Sequence, residues 1–248
     1  MTTLKTILYF SIFDYPITRD EIFKYSNFKT LFEVDHEIKI LLNEGIIYKY
    51  ENFYLRSNSP EQIKRRLFGN EMSKKIMPKA IKVSNFIGGF PFVESVSISG
   101  ALSKGYFDDD GDIDFFIITK PNRLWIARTF LILYKKIFLL NSKKFFCVNY
   151  FISSDTLEIT EQNRFTATEL VTLIPVYGKE VFECFINKNT WVKKFFPNSA
   201  KVNFSNIKDI KKPWLSKSIE FICNTFLESS LDDSLRKLTL KRWHSKFN

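Results

Sequence analysis

The stretch Ser95–Lys120, SVSISGALSKGYFDDDGDIDFFIITK, constrains the chain more than any other. An apolar alternation leads into a small-residue turn at Ser99-Gly100. A loop then gathers Asp108, Asp109 and Asp110, and a second strand follows that carries Asp112 and Asp114. Residues two apart on a strand share a face, so Asp112 and Asp114 are expected to point the same way. Two carboxylates side by side repel each other unless a cation sits between them. A divalent metal on oxygen ligands meets that need, and Mg²⁺ commonly rests on one or two carboxylates plus the phosphates of a substrate. Read without a metal, Asp108–Asp110 is a polar turn and Asp112-Ile113-Asp114 is a dipeptide spacing that arises often by chance.

A chain of 248 residues with 45% apolar content suits one large or two small globular domains. Cys147, Cys184 and Cys223 are widely spaced and odd in number, which argues against a disulfide framework or a thiolate metal site. No basic segment followed by an apolar run opens the chain, and Trp125–Leu140 is interrupted by Arg128, Lys135 and Lys136. Neither secretion nor membrane insertion is expected, and a cytoplasmic location is. The net charge of +10 is uneven: residues 1–60 hold seven Lys or Arg against eight Asp or Glu, so the remainder carries +11. Such an excess favours polyanionic partners, nucleotide phosphates or nucleic acid, although a high pI also occurs without that role.

Periodicity predicts a helix over Thr3–Phe13, a second opened by the capping box Thr18–Glu21, and a third over Val34–Glu44 ending at Gly45. Ile46–Tyr50 and Phe53–Arg56 alternate around Glu51-Asn52 as a hairpin. Three helices and a β-ribbon make a winged helix-turn-helix plan. Its third helix would enter a DNA major groove, but Asp35, Glu37 and Glu44 face Lys39 alone, and duplex affinity rests on cations facing phosphates. Protein contact or homo-oligomerisation is the preferred role for this module. Pro60 opens a basic helical stretch that Pro78 is expected to kink or divide, read as a linker or as one wall of a phosphate-binding cleft.

Ser99-Gly100-Ala101-Leu102-Ser103, a loop, and Asp112-Ile113-Asp114 in an apolar strand resemble the signature of the nucleotidyltransferase superfamily related to DNA polymerase β. The order of a winged helix, this turn, Arg123-Leu124-Trp125, Cys147-Val148-Asn149-Tyr150, Thr166-Ala167-Thr168-Glu169 and Trp191-Val192 is also similar to a family of bacterial nucleotidyltransferase-domain proteins. The resemblance implies an α+β fold: a winged-helix domain (1–58), a basic helical linker (59–90), a nucleotidyltransferase-like mixed sheet with flanking helices (91–198) and a C-terminal helical region (199–248). It implies transfer of a nucleoside monophosphate from an NTP to an acceptor, protein, small molecule or RNA, with release of pyrophosphate. Asp112 and Asp114 would bind Mg²⁺ or Mn²⁺, and Ser99, Gly100, Ala101, Ser103 and Lys104 would meet the nucleotide. The alternatives are a non-catalytic nucleotide-binding regulator and a DNA-binding regulator acting through the winged helix.

Ala101 stands where the superfamily usually has Ser or Gly, which leaves Ser99 or Ser103 to supply the hydroxyl. Lys144–Ser153 reads as the strand that carries a third carboxylate in many members, yet its central polar residue is Asn149, an amide that can ligate but not act as a base. Asp155, Glu158 and Glu169 are the nearest acids in sequence. Pro121–Leu140 reads as the connecting helix, with Arg123 and Arg128 near its start as candidate phosphate contacts. Phe165–Asn187 reads as helix broken at Pro175. In the C-terminal part, Leu215, Ile219, Ile222 and Phe226 form one expected core stripe and Leu231, Leu235 and Leu238 the next. Arg236, Lys237, Lys241, Arg242 and Lys246 with Trp243 form a basic end.

Overall fold

The computed structural model describes residues 2–200, 202–204, 207, 210–226 and 230–247. Helix α1 (Thr3–Ser11) starts where the Thr2 hydroxyl accepts from the Lys5 N–H, and it buries Ile7 and Phe10. A two-residue strand, β1 (Ile17–Thr18), runs into α2 (Arg19–Lys24), whose Thr18–Glu21 capping box makes both reciprocal bonds. Helix α3 (Leu31–Asn43) begins at Leu31 rather than Val34, because Thr30 and Glu33 form a second capping box. It ends in a Schellman motif at Gly45: φ is +66°, the Gly45 N–H bonds the Leu42 carbonyl and the Ile46 N–H bonds the Leu41 carbonyl. Strands β2 (Tyr48–Tyr50) and β3 (Phe53–Leu55) pair antiparallel, and β1 adds to the other side of β3 in the order β1-β3-β2. Two residues are too few to show alternation, which is why β1 escapes sequence reading.

Helix α4 (Pro60–Gly88) is one continuous element with Pro78 inside it, so of the expected kink or division the division does not occur. Pro78 is solvent-exposed, so water can satisfy the carbonyl one turn back that the missing N–H leaves free. Packing holds the helix on either side: Ile63 and Arg66 are buried before the proline, and Ala80, Ser84 and Ile87 after it. The small residues of that face let the helix lie close along the next strand, β4 (Val93–Ser99).

A single helical turn, α5 (Gly100–Ser103), follows β4, and β5 (Asp114–Thr119) returns antiparallel to it with Ser99 opposite Asp114. Helix α6 (Leu124–Phe138) crosses to β6 (Cys147–Ser153), which pairs parallel with β5. Helix α7 (Arg164–Thr172) leads into β7 (Ile174–Tyr177), antiparallel to β4, and the four strands lie in the order β6-β5-β4-β7. The break expected at Pro175 is therefore a strand. It runs at the sheet edge, where a proline without an N–H is tolerated. Helices α8 (Lys179–Lys188) and α9 (Val192–Phe195) complete this part, and α10 (Trp214–Phe226) and α11 (Ser230–Phe247) end the chain.

Alternation along β5 divides the core. Phe115 and Ile117 join Val96, Ile98 and Leu131 beneath α4 and α6. Phe116 and Ile118 face the other way, into a cluster that runs without a break through Ile152, Ala167, Phe185 and Phe196 to Phe10, Ile22 and Val34 of the first three helices. Each such fully buried side chain contributes about 1.5–3 kcal/mol, so this shared core anchors residues 2–55 to the sheet. The stripe expected to be core on α10 is turned in part: Ile219 packs against Phe92 and Ile126, Leu215 and Ile222 are exposed, and Ser216, Glu220 and Cys223 are buried. Glu220 sets this orientation by accepting from the Phe92 N–H at 2.7 Å, Lys120 at 2.8 Å and Lys212 at 2.6 Å. Leu231 and Leu235 pack on Phe92 and Ile126, while Leu238 is exposed. The expected contributions of the Phe226 and Lys246 side chains, and of Asn248, lie outside the described residues.

The chain is thus α+β, with one antiparallel and one mixed sheet. Among the described residues no helix is long and apolar enough to cross a membrane.

Candidate functional site

Asp114 opens β5 and Ser99 closes β4 opposite it, so the turn at Gly100 and the carboxylate of Asp114 meet at one end of the sheet. Gly100 has φ +67°, and a Cβ built there would lie 2.3 Å from Asp114 Oδ2. Both the backbone angle and the contact demand glycine. Asp112 precedes the strand rather than standing in it, because the turn closed by the Gly111 N–H on the Asp108 carbonyl ends just before it. Ile113 nevertheless keeps the extended pairing, donating to the Lys144 carbonyl and accepting from the Cys147 N–H. The Asp112 carboxylate makes no hydrogen bond or ion pair with the described residues. It is near enough to Asp114 to act on its charge.

The neighbouring strand β6 supplies two contacts to Asp114. Phe115 pairs with Val148 but Phe116 with Tyr150, so Asn149 is an extra residue at a bulge. That bulge lets Asn149 Nδ2 donate to Asp114 Oδ1 at 2.9 Å while Tyr150 stacks on Phe116 at 5.3 Å between ring centroids. Cys147, paired across from Asp114, hydrogen-bonds its carboxylate through the thiol. Burial and the Asp114 charge push that thiol up to about 12, so it stays a protonated donor. The Asp114 carboxyl itself is raised above its ordinary range by burial first, and then by the charges of Asp112 and Glu169. The Cys147 hydrogen bond and Lys104 pull the other way.

Glu169, on α7, is thus the acid that folds back to the site. Lys104 Nζ holds it at 2.9 Å and also donates to the Gly100 carbonyl at 3.0 Å. Asp155 lies past the far end of β6, where the Ser154 N–H bonds the Thr119 carbonyl, and Glu158 accepts from Gln162. Of the residues expected to meet a nucleotide, Ser103 spends its hydroxyl on the Gly100 carbonyl at 2.9 Å and Lys104 is engaged as described. Ser99 makes no capping hydrogen bond, and Ala101 is exposed. Helix α5 is four residues long, too short for a substantial macrodipole, so any help to an anion comes from individual N–H groups.

Arg123 and Arg128 are not brought here. Both belong to the opposite end of the sheet, where Arg123 bonds Asn224 and Arg128 lies over the rings of Trp125 and Trp243. Trp243 itself packs edge-on against Trp125 at 6.1 Å.

Sequence reasoning missed Cys147, the Lys104–Glu169 pair and a cavity of about 350 Å³ beside Gly100, walled in part by Tyr9, Phe13 and Tyr15. These groups are distant in the chain, and no local pattern joins them. A larger cavity of about 480 Å³ between α7, α8 and α9 does not include Asp114 among its lining residues. Among the described residues, no group of three or more His, Cys, Asp or Glu side chains is arranged to hold a metal. No protein-family model, curated protein or solved structure matches the chain.

Proposed function

We propose that the chain is a nucleotidyltransferase of the DNA polymerase β-like kind, with residues 2–55 as its winged helix. It would move a nucleoside monophosphate from an NTP to an acceptor hydroxyl. The observation that carries this reading is the seat of Asp114. A glycine in the left-handed region packs against that carboxylate at the paired ends of two strands, and the charge of Asp112 acts on it from nearby.

The donor set fits a divalent cation that keeps waters and substrate phosphates in its shell, since such ions need only one or two protein carboxylates. The repulsion that raises the Asp114 carboxyl is the condition a cation relieves. Mg²⁺ or Mn²⁺ on Asp112 and Asp114 would supply charge neutralisation for the triphosphate. Asn149 and Cys147 orient Asp114 by donating to it, and the Asn149 amide turned over would present its oxygen instead. The Gly100-Ala101 backbone lets a phosphate approach without a side chain in the way. In the transfer, an acceptor oxygen forms a bond to the α-phosphorus, the bond to the bridging oxygen of pyrophosphate breaks, and the hydroxyl proton leaves to a base or to water. Glu169 is the nearest acid for that proton, and Lys104 restrains it.

The second reading, a nucleotide-binding regulator without turnover, is favoured by one observation: Glu169 is engaged by Lys104, and among the described residues no third acid is arranged with Asp112 and Asp114 to hold a metal. DNA binding has less support, since Asp35 is paired with Arg19 and Glu37 with the Thr3 N–H on a helix that also exposes Phe32. Pyrophosphate release from NTPs with Mg²⁺, screened over protein, sugar and RNA acceptors, separates the first two readings. Release that disappears in Asp112→Ala/Asp114→Ala supports transfer. Nucleotide binding with no release for any acceptor supports the regulator.

A further inference from the structure

The cavity beside Gly100 is built jointly by residues 2–55, by α4, by α5 with the loop that follows it, and by α7. Tyr9, Phe13 and Tyr15 form one side of it, Gly100 and Ala101 another, and Tyr106 closes it together with Arg65 of α4. Its volume of about 350 Å³ lies within the roughly 300–1,000 Å³ of ordinary small-ligand sites.

Three of these rings are fixed through their hydroxyls. Tyr9 bonds Thr168 at 3.1 Å, Tyr15 donates to the Lys104 carbonyl at 2.8 Å, and Tyr106 accepts from Arg65 Nε at 2.9 Å. Tyr106 also lies against α4 where Gly69 leaves room, since a Cβ at Gly69 would fall 2.2 Å from its ring. Phe13 has no hydroxyl to anchor, and it is 50% exposed. The result is a set of rigid aromatic walls with one exposed ring at the mouth.

The charges choose between ligand classes. Both cations at the cavity are already engaged: Arg65 by Tyr106, Asp14 and Asp108, and Lys104 by Glu169 and the Gly100 carbonyl. The lining carboxylates of Asp14, Asp108 and Glu169 outnumber them. Away from the Gly100 turn, among Tyr9, Phe13, Tyr15 and Tyr106, this is a poor place for a phosphate. It suits a flat ring that stacks on aromatic side chains and offers N–H donors to carboxylates, which is the chemistry of a nucleobase.

We propose that this cavity takes the base of the nucleotide whose phosphates sit at the Gly100 turn, so that the N-terminal module is a wall of the active site and sets base selection. The proposal rests on the nucleotide reading above. Its test separates the two ends of the ligand in the full-length chain, by titrating ATP and inorganic triphosphate, each with Mg²⁺, into wild type, Phe13→Ala and Phe13→Trp. Phe13 lies outside the buried core, so the alanine variant should fold, and the tryptophan variant keeps a ring at the same place. Loss of one stacking partner weakens a bound base on the order of tenfold. The expected result is ATP binding about tenfold weaker in Phe13→Ala, restored in Phe13→Trp, with triphosphate binding equal in all three. ATP binding unchanged in Phe13→Ala overturns the proposal and leaves the nucleotide reading intact. Failure of both ATP and triphosphate to bind wild type overturns the nucleotide reading, and the proposal with it.

Discussion

Gly100 and Asp114 depend on each other through direct contact. At Gly100 an alanine would meet a positive φ and a contact of 2.3 Å with the Asp114 carboxylate. Gly100→Ala is expected to cost about 1–3 kcal/mol and to displace Asp114, lowering the melting temperature and abolishing any stabilisation by Mg²⁺. Asp114→Asn is expected to act in the opposite direction on stability. Burial and the charges of Asp112 and Glu169 raise the folded-state pKa of Asp114, so its ionised form costs stability at neutral pH, and that cost vanishes as the pH falls through the raised value. Thermal melts should show Asp114→Asn more stable than wild type at pH 7 by about 1–3 °C, with the gap closing under acid conditions as the wild-type carboxyl protonates. A lower melting temperature for the variant at pH 7 would contradict this account of the site.

Among the elements, those defined by caps and alternation were legible in the sequence. The Thr18–Glu21 box, the Gly45 stop, the hairpin and the strands at Val93 and Asp114 follow from short-range chemistry. What escaped depends on partners far away in the chain. Pro175 reads as a helix breaker until an edge strand is seen beside β4, and α10 turns Leu215 and Ile222 outward because Glu220 is held by Phe92, Lys120 and Lys212. The candidate site divides in the same way. Gly100, Asp112 and Asp114 lie within one short stretch, whereas Glu169 and Cys147 reach Asp114 only through tertiary packing. Arg66 of α4 shows how the elements are joined. Buried, it bonds the Pro16 carbonyl at 2.7 Å and Glu21 at 2.8 Å, and stacks at 3.6 Å over the Tyr15 ring. Removing one partner of a buried pair leaves the other charge uncompensated, so Arg66→Ala is expected to cost about 3–5 kcal/mol. Because the core is shared, calorimetry should still show one transition, shifted downward; a separate early transition for residues 2–55 would contradict a shared core.

For the whole molecule, the continuous core from Phe10 and Val34 to Phe116 and Phe196 ties the N-terminal module to the sheet. It is packed against the sheet face that carries Asp114, and it lends aromatic walls to the cavity beside Gly100. The sequence alone favours protein contact or oligomerisation for this module, and the proposed part in the site stands beside that expectation. The positive charge outside residues 1–60 gives a phosphate-bearing ligand a favourable setting over a distance of about one Debye length. Under the proposed function, Asp112 and Asp114 together bind a nucleotide with a divalent cation. Isothermal titration of ATP into the full-length protein, with Mg²⁺ and then with EDTA, addresses it directly. Binding that requires Mg²⁺ and is lost in Asp112→Ala/Asp114→Ala, while the variant keeps its fold by circular dichroism, is the predicted result. Equal binding by wild type and the folded double variant, or none by wild type at millimolar ATP, would contradict it.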